Sequence, residues 1–190
     1  MESLTKQITE WLIANNAIED VDKEVYEYAI YSMLITLSPL FLVFVIGIMM
    51  GTFIEGVFLI IPFMSIRKYS GGYHAKDFKT CFVTSSLILI ACMYIASSAN
   101  YGPWVSGGAL VSVISLNIWS PIDSENRRLE QDEKKRYKRT TMCISFVFMC
   151  VHLLLLMITD KTYAISVAVG LMLSAGLQIP CILLIFRKRE

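Results

Sequence analysis

The chain has 190 residues, of which 55% are hydrophobic and 17% charged, and its formal net charge is +1. An ordinary soluble domain carries about 25% charged residues, so this chain has too few polar side chains to cover a water-facing surface. The composition therefore predicts an integral membrane protein and excludes a secreted, disordered, coiled-coil or free cytosolic chain. Its near-neutral charge also excludes the basic surface that nucleic-acid binding requires.

Six apolar segments lie between clusters of charged residues. They cover residues 29–50, 53–66, 82–99, 105–119, 142–158 and 163–186. A membrane-spanning helix needs about 17 to 25 apolar residues, so the second and fourth segments are short for a full span. We predict an all-α, polytopic membrane protein with about six transmembrane helices in three hairpins, and four full spans are the alternative.

The charged stretches divide this single membrane domain, residues 1–190. The predicted parts are a cytoplasmic helical region (1–28), a first hairpin (29–66), a loop (67–81), a second hairpin (82–119), a basic loop (120–141), a third hairpin (142–186) and a tail (187–190). Sixteen of the 17 Lys and Arg residues lie outside the hairpins, and Lys161 is the exception. By the positive-inside rule, both termini and the charged loops are predicted to face the cytosol.

The N-terminal region favours two helical pieces, separated near Asn15. Leu4, Ile8 and Trp11 share one face of the first piece, and residues 20–28 form the second. Two interpretations stay open, an amphipathic helix on the inner leaflet of the lipid bilayer and a docking helix for a substrate. The net charge of −5 in this region counts against the first, because anionic lipid would repel it.

The five cysteines and two histidines do not form a recognisable metal site. The chain has no C-x-x-C and no H-E-x-x-H motif, so we predict neither a metal nor another cofactor. Cys81 differs from the other cysteines because it lies where a charged loop meets an apolar segment, and reducing cytosol would keep it a free thiol. The cysteines expected to pack as small apolar side chains are Cys92, Cys143, Cys150 and Cys181.

His74 lies seven residues before Cys81. A thiol becomes a nucleophile when a base takes its proton or when a positive environment favours the thiolate. If Thr80 is the N-cap of the next helix, Cys81 lies in the first turn, where the helix dipole favours a thiolate. On one straight helix the two Cα atoms would be about 10.5 Å apart, so the chain must turn back for proton transfer. Gly71 and Gly72 can supply such a turn.

The stretch from Arg67 to Cys81 resembles the signature of the accessory gene regulator protein B (AgrB) family, bacterial membrane endopeptidases that process quorum-sensing propeptides. The residues that carry the resemblance are Arg67, Gly71, Gly72, His74 and Cys81. Residues 120–129 and the following charged helix are similar to the second cytoplasmic loop of the family, although this likeness is less specific. Chain length and the six-segment pattern also match.

The resemblance implies that Cys81 is the catalytic nucleophile and His74 its general base and acid. The implied substrate is a propeptide with an amphipathic leader, a central signal sequence and an acidic C-terminal tail. Cys81 would cleave between signal and tail and keep the signal as a thioester, which a Cys or Ser of the signal displaces to give a thiolactone or lactone. The implied location is the bacterial cell membrane, and a homodimer is compatible with the resemblance.

Weaker roles follow for the residues before His74. Arg67 is assigned to substrate binding, where it would hold the acidic tail or brace the loop, but a positive charge that only sets topology is the alternative. Gly71 and Gly72 belong to the same set as loop formers. Asp77 is left out of the catalytic set because no motif supports it.

The second charged loop, residues 123–139, is predicted to be a solvated helix with Glu130–Lys134 and Asp132–Arg136 pairs at i, i+4. Alternatively, its basic side chains attract the acidic tail of the substrate. These residues are Arg127, Arg128, Lys134, Lys135, Arg136, Lys138 and Arg139.

Three other classes of protein remain as alternatives. A small transporter would place ionisable groups within its spans, but His152 is the clear case here and is expected to hydrogen-bond within the bundle. A serine intramembrane protease would pair Ser174 with His152, but small residues around Ser174 are more typical of close helix packing. A non-catalytic membrane scaffold would depend on none of these side chains.

Overall fold

All regular secondary structure in the part of the chain that the structure describes is helical. The structure is a computed structural model, and it describes residues 2–15, 17–72, 78–122, 130–158 and 161–187. The helices are α1 (Glu2–Ala14), α2 (Lys23–Met50), α3 (Phe53–Ser70), α4 (Phe78–Ser98), α5 (Pro103–Trp119), α6 (Gln131–Ile158), α7 (Lys161–Gly176) and α8 (Ile179–Arg187), with a 3-10 turn over Asp20–Asp22. The all-α prediction is confirmed.

Each of the first five apolar segments forms one helix, but the sixth is broken. Helix α7 ends at Gly176 and α8 begins at Ile179. Pro180 explains the break, because its ring nitrogen cannot donate a hydrogen bond to the carbonyl of Gly176 and its ring would clash with that group. The sixth apolar segment thus consists of two helices, although residues Lys161–Leu184 together remain long and apolar enough to cross a membrane.

Two stretches of the described chain are long and apolar enough to cross a membrane. One is α6, and the other runs from Lys161 to Leu184 across α7 and α8. Shorter apolar helices cover Leu37–Met50, Phe82–Ser98 and Pro103–Trp119. Large apolar side chains on α2, α4, α5 and α6 are exposed. Both observations are compatible with association of the protein with a membrane.

Helix α7 lies at the centre of the helix bundle. It packs against α3, α4, α5 and α6, and every residue from Ala164 to Leu171 is buried. The approach to α3 is close, because a Cβ at Gly170 would overlap the carbonyl oxygen of Leu59. The small residues of α7 thus let other helices surround it.

Helix α1 packs against α2 with its threonines buried. Thr5 and Thr9 are nearly inaccessible, whereas Leu4 and Trp11 are exposed. The helix ends at Ala14, and the side-chain amide of Asn15 donates a hydrogen bond to the carbonyl of Trp11 at 2.7 Å. The predicted break near Asn15 is confirmed. Two of the three residues of the predicted apolar face, Leu4 and Trp11, are thus exposed, and Ile8 is partly buried. Both interpretations of this face, contact with lipid and contact with a substrate, stay predictions.

A fully buried histidine joins α5, α6 and α7. The hydroxyl of Ser106 lies 2.9 Å from Nε2 of His152, and Nδ1 of His152 lies 2.9 Å from the carbonyl oxygen of Ala164. Because a carbonyl can only accept, Nδ1 donates to Ala164, and Nε2 shares the second hydrogen bond with the hydroxyl of Ser106. Tyr101 completes the chain, with its hydroxyl 2.9 Å from that of Ser106. We call these four residues the His152 cluster.

The contacts of this histidine confirm the prediction that it hydrogen-bonds within the bundle. They do not involve Ser174, whose hydroxyl donates to the carbonyl of Gly170 on its own helix at 2.9 Å. Ser174 is fully buried beside small residues of α7. The pairing that a serine intramembrane protease would need between Ser174 and His152 is therefore not formed.

Candidate functional site

Helix α3 ends in two glycines with unusual backbone angles. Gly71 has φ 68° and ψ −162°, and Gly72 has φ 133°. Side chains of L-amino acids rarely tolerate these angles, and the conformation of Gly71 is found almost exclusively for glycine. The chain therefore turns away from the axis of α3 at Gly71. The next residues, 73–77, lie outside the described residues.

The space around the two glycines is also closed to a side chain. A Cβ at Gly71 would overlap the main-chain oxygen of Ile122, and one at Gly72 would overlap the guanidinium of Arg67. The Gly72 position also lies close to the main chain at Leu177. The turn is thus packed between the segment after α5 and the junction of α7 and α8.

Arg67 lies one helical turn before the glycines and is half-buried. Its Nη1 donates a hydrogen bond to the main-chain oxygen of Gly71 at 2.8 Å, and the hydroxyl of Ser70 lies 3.2 Å from the same oxygen. This hydrogen bond is what we expect if Arg67 braces the loop. Binding of the substrate tail by Arg67 stays a prediction.

Cys81 is the fourth residue of α4 and lies in its first turn. The first four N–H groups of a helix have no partner within it, so this end carries a partial positive charge. The helix begins at Phe78, so Thr80 is its third residue and the prediction that Thr80 is the N-cap is wrong. His74, Asp77 and the side chain of Cys81 lie outside the described residues. The catalytic roles of His74 and Cys81 therefore stay predictions.

The basic start of α6 lies beside the end of α3. The rings of Tyr69 and Tyr137 meet edge to face, with their centroids 5.5 Å apart. The side chains of Lys138 and Arg139 follow directly and are exposed. Two of the predicted tail-binding residues, Arg127 and Arg128, lie outside the described residues, and five belong to α6. A positively charged helix surface therefore borders the glycine turn.

The ion pairs on this part of α6 differ from the predicted ones. Lys135 pairs with Asp132, and Arg136 pairs with Glu133, each at 4.0 Å and at spacing i, i+3. Side chains three apart on a helix are neighbours just as those four apart are, so the sequence pattern alone did not select between them. The predicted i, i+4 pairing of Asp132 with Arg136 is wrong.

Three polar residues that the sequence analysis missed are buried at the glycine turn. Ser70, Ser120 and Gln178 are less than 5% exposed, and the N–H of Ile122 donates to the main-chain oxygen of Ser70 at 3.0 Å. We call these four residues the Gln178 cluster. A sequence signal did exist, since Gln178 is the one glutamine within an apolar segment. A buried amide must find hydrogen-bond partners, and those partners identify neighbouring elements.

Within the described residues, no group of three or more His, Cys, Asp or Glu side chains could hold a metal ion. The described part of this end of the bundle contains the first turn of α4 with Cys81, a braced glycine turn and a neighbouring basic helix.

Comparisons with known proteins identify relatives along nearly the whole chain. The family model described as Accessory gene regulator B matches residues 5–182. A putative AgrB-like protein of Clostridium perfringens is 24% identical, over 98% of this chain and 92% of that protein.

More distant relatives come from other genera. A putative AgrB-like protein of Listeria monocytogenes is 24% identical over 84% of this chain and 80% of its own length. The accessory gene regulator protein B of Staphylococcus saprophyticus is 22% identical over 63% of this chain and 62% of its own length. No solved structure matches the chain significantly. The match over residues 5–182 shows that the chain belongs to the accessory gene regulator B family.

Proposed function

We propose that this protein is a membrane-embedded cysteine endopeptidase that removes the C-terminal tail of a quorum-sensing propeptide and supports cyclisation of the signal. Members of its family are implicated in accessory gene regulation and quorum sensing. The observation that carries the finer proposal is the location of Cys81 in the first turn of α4, in a chain with the family motif. A thiolate is favoured at that end of a helix.

In the first step, His74 accepts the proton of the Cys81 thiol, and the thiolate attacks the carbonyl carbon between signal and tail. The tetrahedral intermediate collapses as the carbon–nitrogen bond breaks, and His74 returns its proton to the leaving amine. The tail departs with a free amino terminus, and the signal remains on Cys81 as a thioester. The turn at Gly71 and Gly72 is suited to bringing His74 back toward α4.

In the second step, a Cys or Ser side chain of the signal attacks the thioester. The ring closes readily because an intramolecular nucleophile has a high effective concentration. With a Cys nucleophile, one thioester is exchanged for another, so this step needs no ATP. Loss of the released tail draws the less favourable first step forward.

We propose that the helices form a multi-pass bundle of about six spans in the bacterial cell membrane. The glycine turn, the start of α4 and the basic start of α6 then face the cytosol with both termini. This orientation is supported by the distribution of Lys and Arg, of which one in 17 falls on the opposite side.

The central experiment detects the acyl-enzyme. A short reading frame beside the gene is expected to encode a peptide with an amphipathic start, a central Cys or Ser and an acidic end. Incubating that peptide with purified protein should give a mass adduct on Cys81. Neither Cys81→Ala nor His74→Ala should form it, whereas the control Cys143→Ala on α6 should form it normally. An adduct that survives in Cys81→Ala would contradict the proposal.

The same assay tests whether α6 recognises the acidic tail. The double variant Lys138→Gln, Arg139→Gln removes two exposed charges, each expected to contribute up to about 1 kcal/mol. We expect the half-saturating peptide concentration to rise about 3- to 10-fold, with a smaller difference at high salt. Lys161→Gln, at the other end of the bundle, is the control. Equal half-saturation in the double variant and the wild type at physiological salt would exclude this role.

A further inference from the structure

One buried amide links three distant parts of the chain at the glycine turn. Gln178 lies between α7 and α8 and is fully buried. Its Nε2 donates to the main-chain oxygen of Ser70 at 3.1 Å and to the hydroxyl of Ser120 at 2.9 Å. The end of α3, the end of α5 and the α7–α8 junction therefore meet at a single NH₂ group.

These contacts fix the point from which the loop toward His74 departs. The last carbonyl groups of a helix lack partners within it, and water usually satisfies them. At Ser70 the main-chain oxygen instead accepts bonds from Gln178 and from the N–H of Ile122. Gly71 and Gly72 follow at once, in conformations and contacts that admit no side chain. The backbone at the turn is thus fixed by hydrogen bonds at Ser70 and by close packing at Gly71 and Gly72.

The oxygen of the same amide takes no part in this link. Oε1 of Gln178 is buried, and it has no hydrogen-bond partner among the described residues. The donor group Nε2 therefore makes the side-chain contacts on which the link between the three parts of the chain depends.

We propose that Gln178 is a positioning residue for the chemistry at Cys81. It holds the end of α3 so that the loop carrying His74 starts from a fixed place in the bundle. This inference rests on the proposed function, because it assigns to Gln178 the placement of the proposed base. It concerns the donor group Nε2, and Gln178 itself contacts neither substrate nor the reacting atoms.

The test uses iodoacetamide, a small probe that reports how reactive the Cys81 thiol is. The test variants are Gln178→Met and Gln178→Leu, neither of which can donate a hydrogen bond. The matched control is Ser174→Ala, which lies four residues earlier, is equally buried and bonds within its own helix. Alkylation of Cys81 is followed by peptide mass spectrometry.

We expect both Gln178 variants to slow alkylation of Cys81 at least about 10-fold, toward the rate of His74→Ala, and Ser174→Ala to match the wild type. We also expect Gln178→Met to unfold in detergent at the same temperature as the wild type within a few degrees. A purely structural role would instead lower that temperature and leave the alkylation rate of folded protein unchanged.

Hydrogen exchange provides a second measurement that does not depend on catalysis. The amide of Ile122 donates to Ser70, so it should exchange faster in Gln178→Met than in Ser174→Ala or the wild type. Unchanged exchange at Ile122 would overturn the proposed anchoring.

The alkylation outcomes separate the two proposals. Slow alkylation in His74→Ala with normal alkylation in both Gln178 variants would overturn the inference and leave the proposed function standing. Normal alkylation in His74→Ala would overturn the assignment of His74 as base, and the positioning role would fall with it.

Discussion

The two buried polar clusters lie at opposite ends of α5 and α7 and differ in how completely their hydrogen bonds are formed. In the His152 cluster, both ring nitrogens of His152 and the hydroxyl of Ser106 have partners at 2.9 Å. In the Gln178 cluster, Nε2 has two acceptors and Oε1 has none among the described residues. Ser106 and Ser120 are 14 residues apart, or about 21 Å along a helix.

This difference in hydrogen bonding leads us to treat the His152 cluster as a structural link and the Gln178 cluster as part of a functional site. A fully paired buried network favours one arrangement of its helices, and the His152 cluster holds α5, α6 and α7 together in this way. The Gln178 cluster instead adjoins two glycines in conformations that residues with a side chain rarely adopt. Its hydrogen bonds converge on the end of α3, directly before the stretch that leads to His74.

The largest predicted effect is that of Gly71→Ala. The variant places a methyl group against the main-chain oxygen of Ile122 and forces a residue with a side chain into a glycine conformation. A displacement of about 1 Å in a catalytic group can cost about 100-fold in rate, so we expect formation of the Cys81 adduct to fall at least that far. Mass spectrometry of the adduct over time measures the loss.

Gly51 provides a matched control for this substitution. Its φ of 67° is nearly that of Gly71, but its ψ of 20° places it in the left-handed helical region, and a Cβ there would meet nothing within 4 Å. Gly51→Ala should therefore cost about 1 to 2 kcal/mol of stability and leave adduct formation within about twofold of wild type. If both alanine variants lost activity equally, the close packing at Gly71 would not be what matters.

The next largest effect is expected at the end of the bundle that contains the His152 cluster. His152→Leu removes the links to Ser106 and Ala164 from a fully buried position. We expect the free energy of unfolding to fall by about 2 to 3 kcal/mol, measured by denaturation in detergent, with Ser106→Ala costing less. Adduct formation per folded molecule should not change. A loss of activity without a loss of stability would mean that the His152 cluster belongs to a functional site.

The sequence predicted helices well because apolar segments and turn residues are local signals. The helix break near Asn15 and the turn at Gly51 needed no knowledge of tertiary contacts. The break between α7 and α8 was not predicted, although Pro180 is present, because the apolar composition of residues 163–186 continues across it. Six spans and their orientation remain predictions from the distribution of charge.

The turn at Gly71 and Gly72 could be predicted because glycine alone combines free backbone angles with the lack of a side chain. The roles of His74 and Cys81 stay predictions, made from the chemistry of their side chains. The Gln178 cluster was not predictable from the sequence, because its bonds join residues up to 108 positions apart. The choice between i, i+3 and i, i+4 ion pairs on α6 failed for a related reason, since both spacings bring side chains together and their contributions differ little.

The variant with the smallest predicted effect, Thr141→Val, tests whether an unpaired buried group is by itself a sign of function. Thr141 on α6 is fully buried, and its hydroxyl has no partner among the described residues, as is true of Oε1 of Gln178. Thr141 lies within the continuous helix α6, so we expect Thr141→Val to raise the free energy of unfolding by about 1 kcal/mol, because the valine buries no unpaired hydroxyl. Adduct formation should equal that of the wild type. If Thr141→Val were more stable but formed the adduct more slowly, unpaired buried groups outside the Gln178 cluster would also contribute to catalysis. The functional distinction between the Gln178 cluster and the His152 cluster would then be wrong.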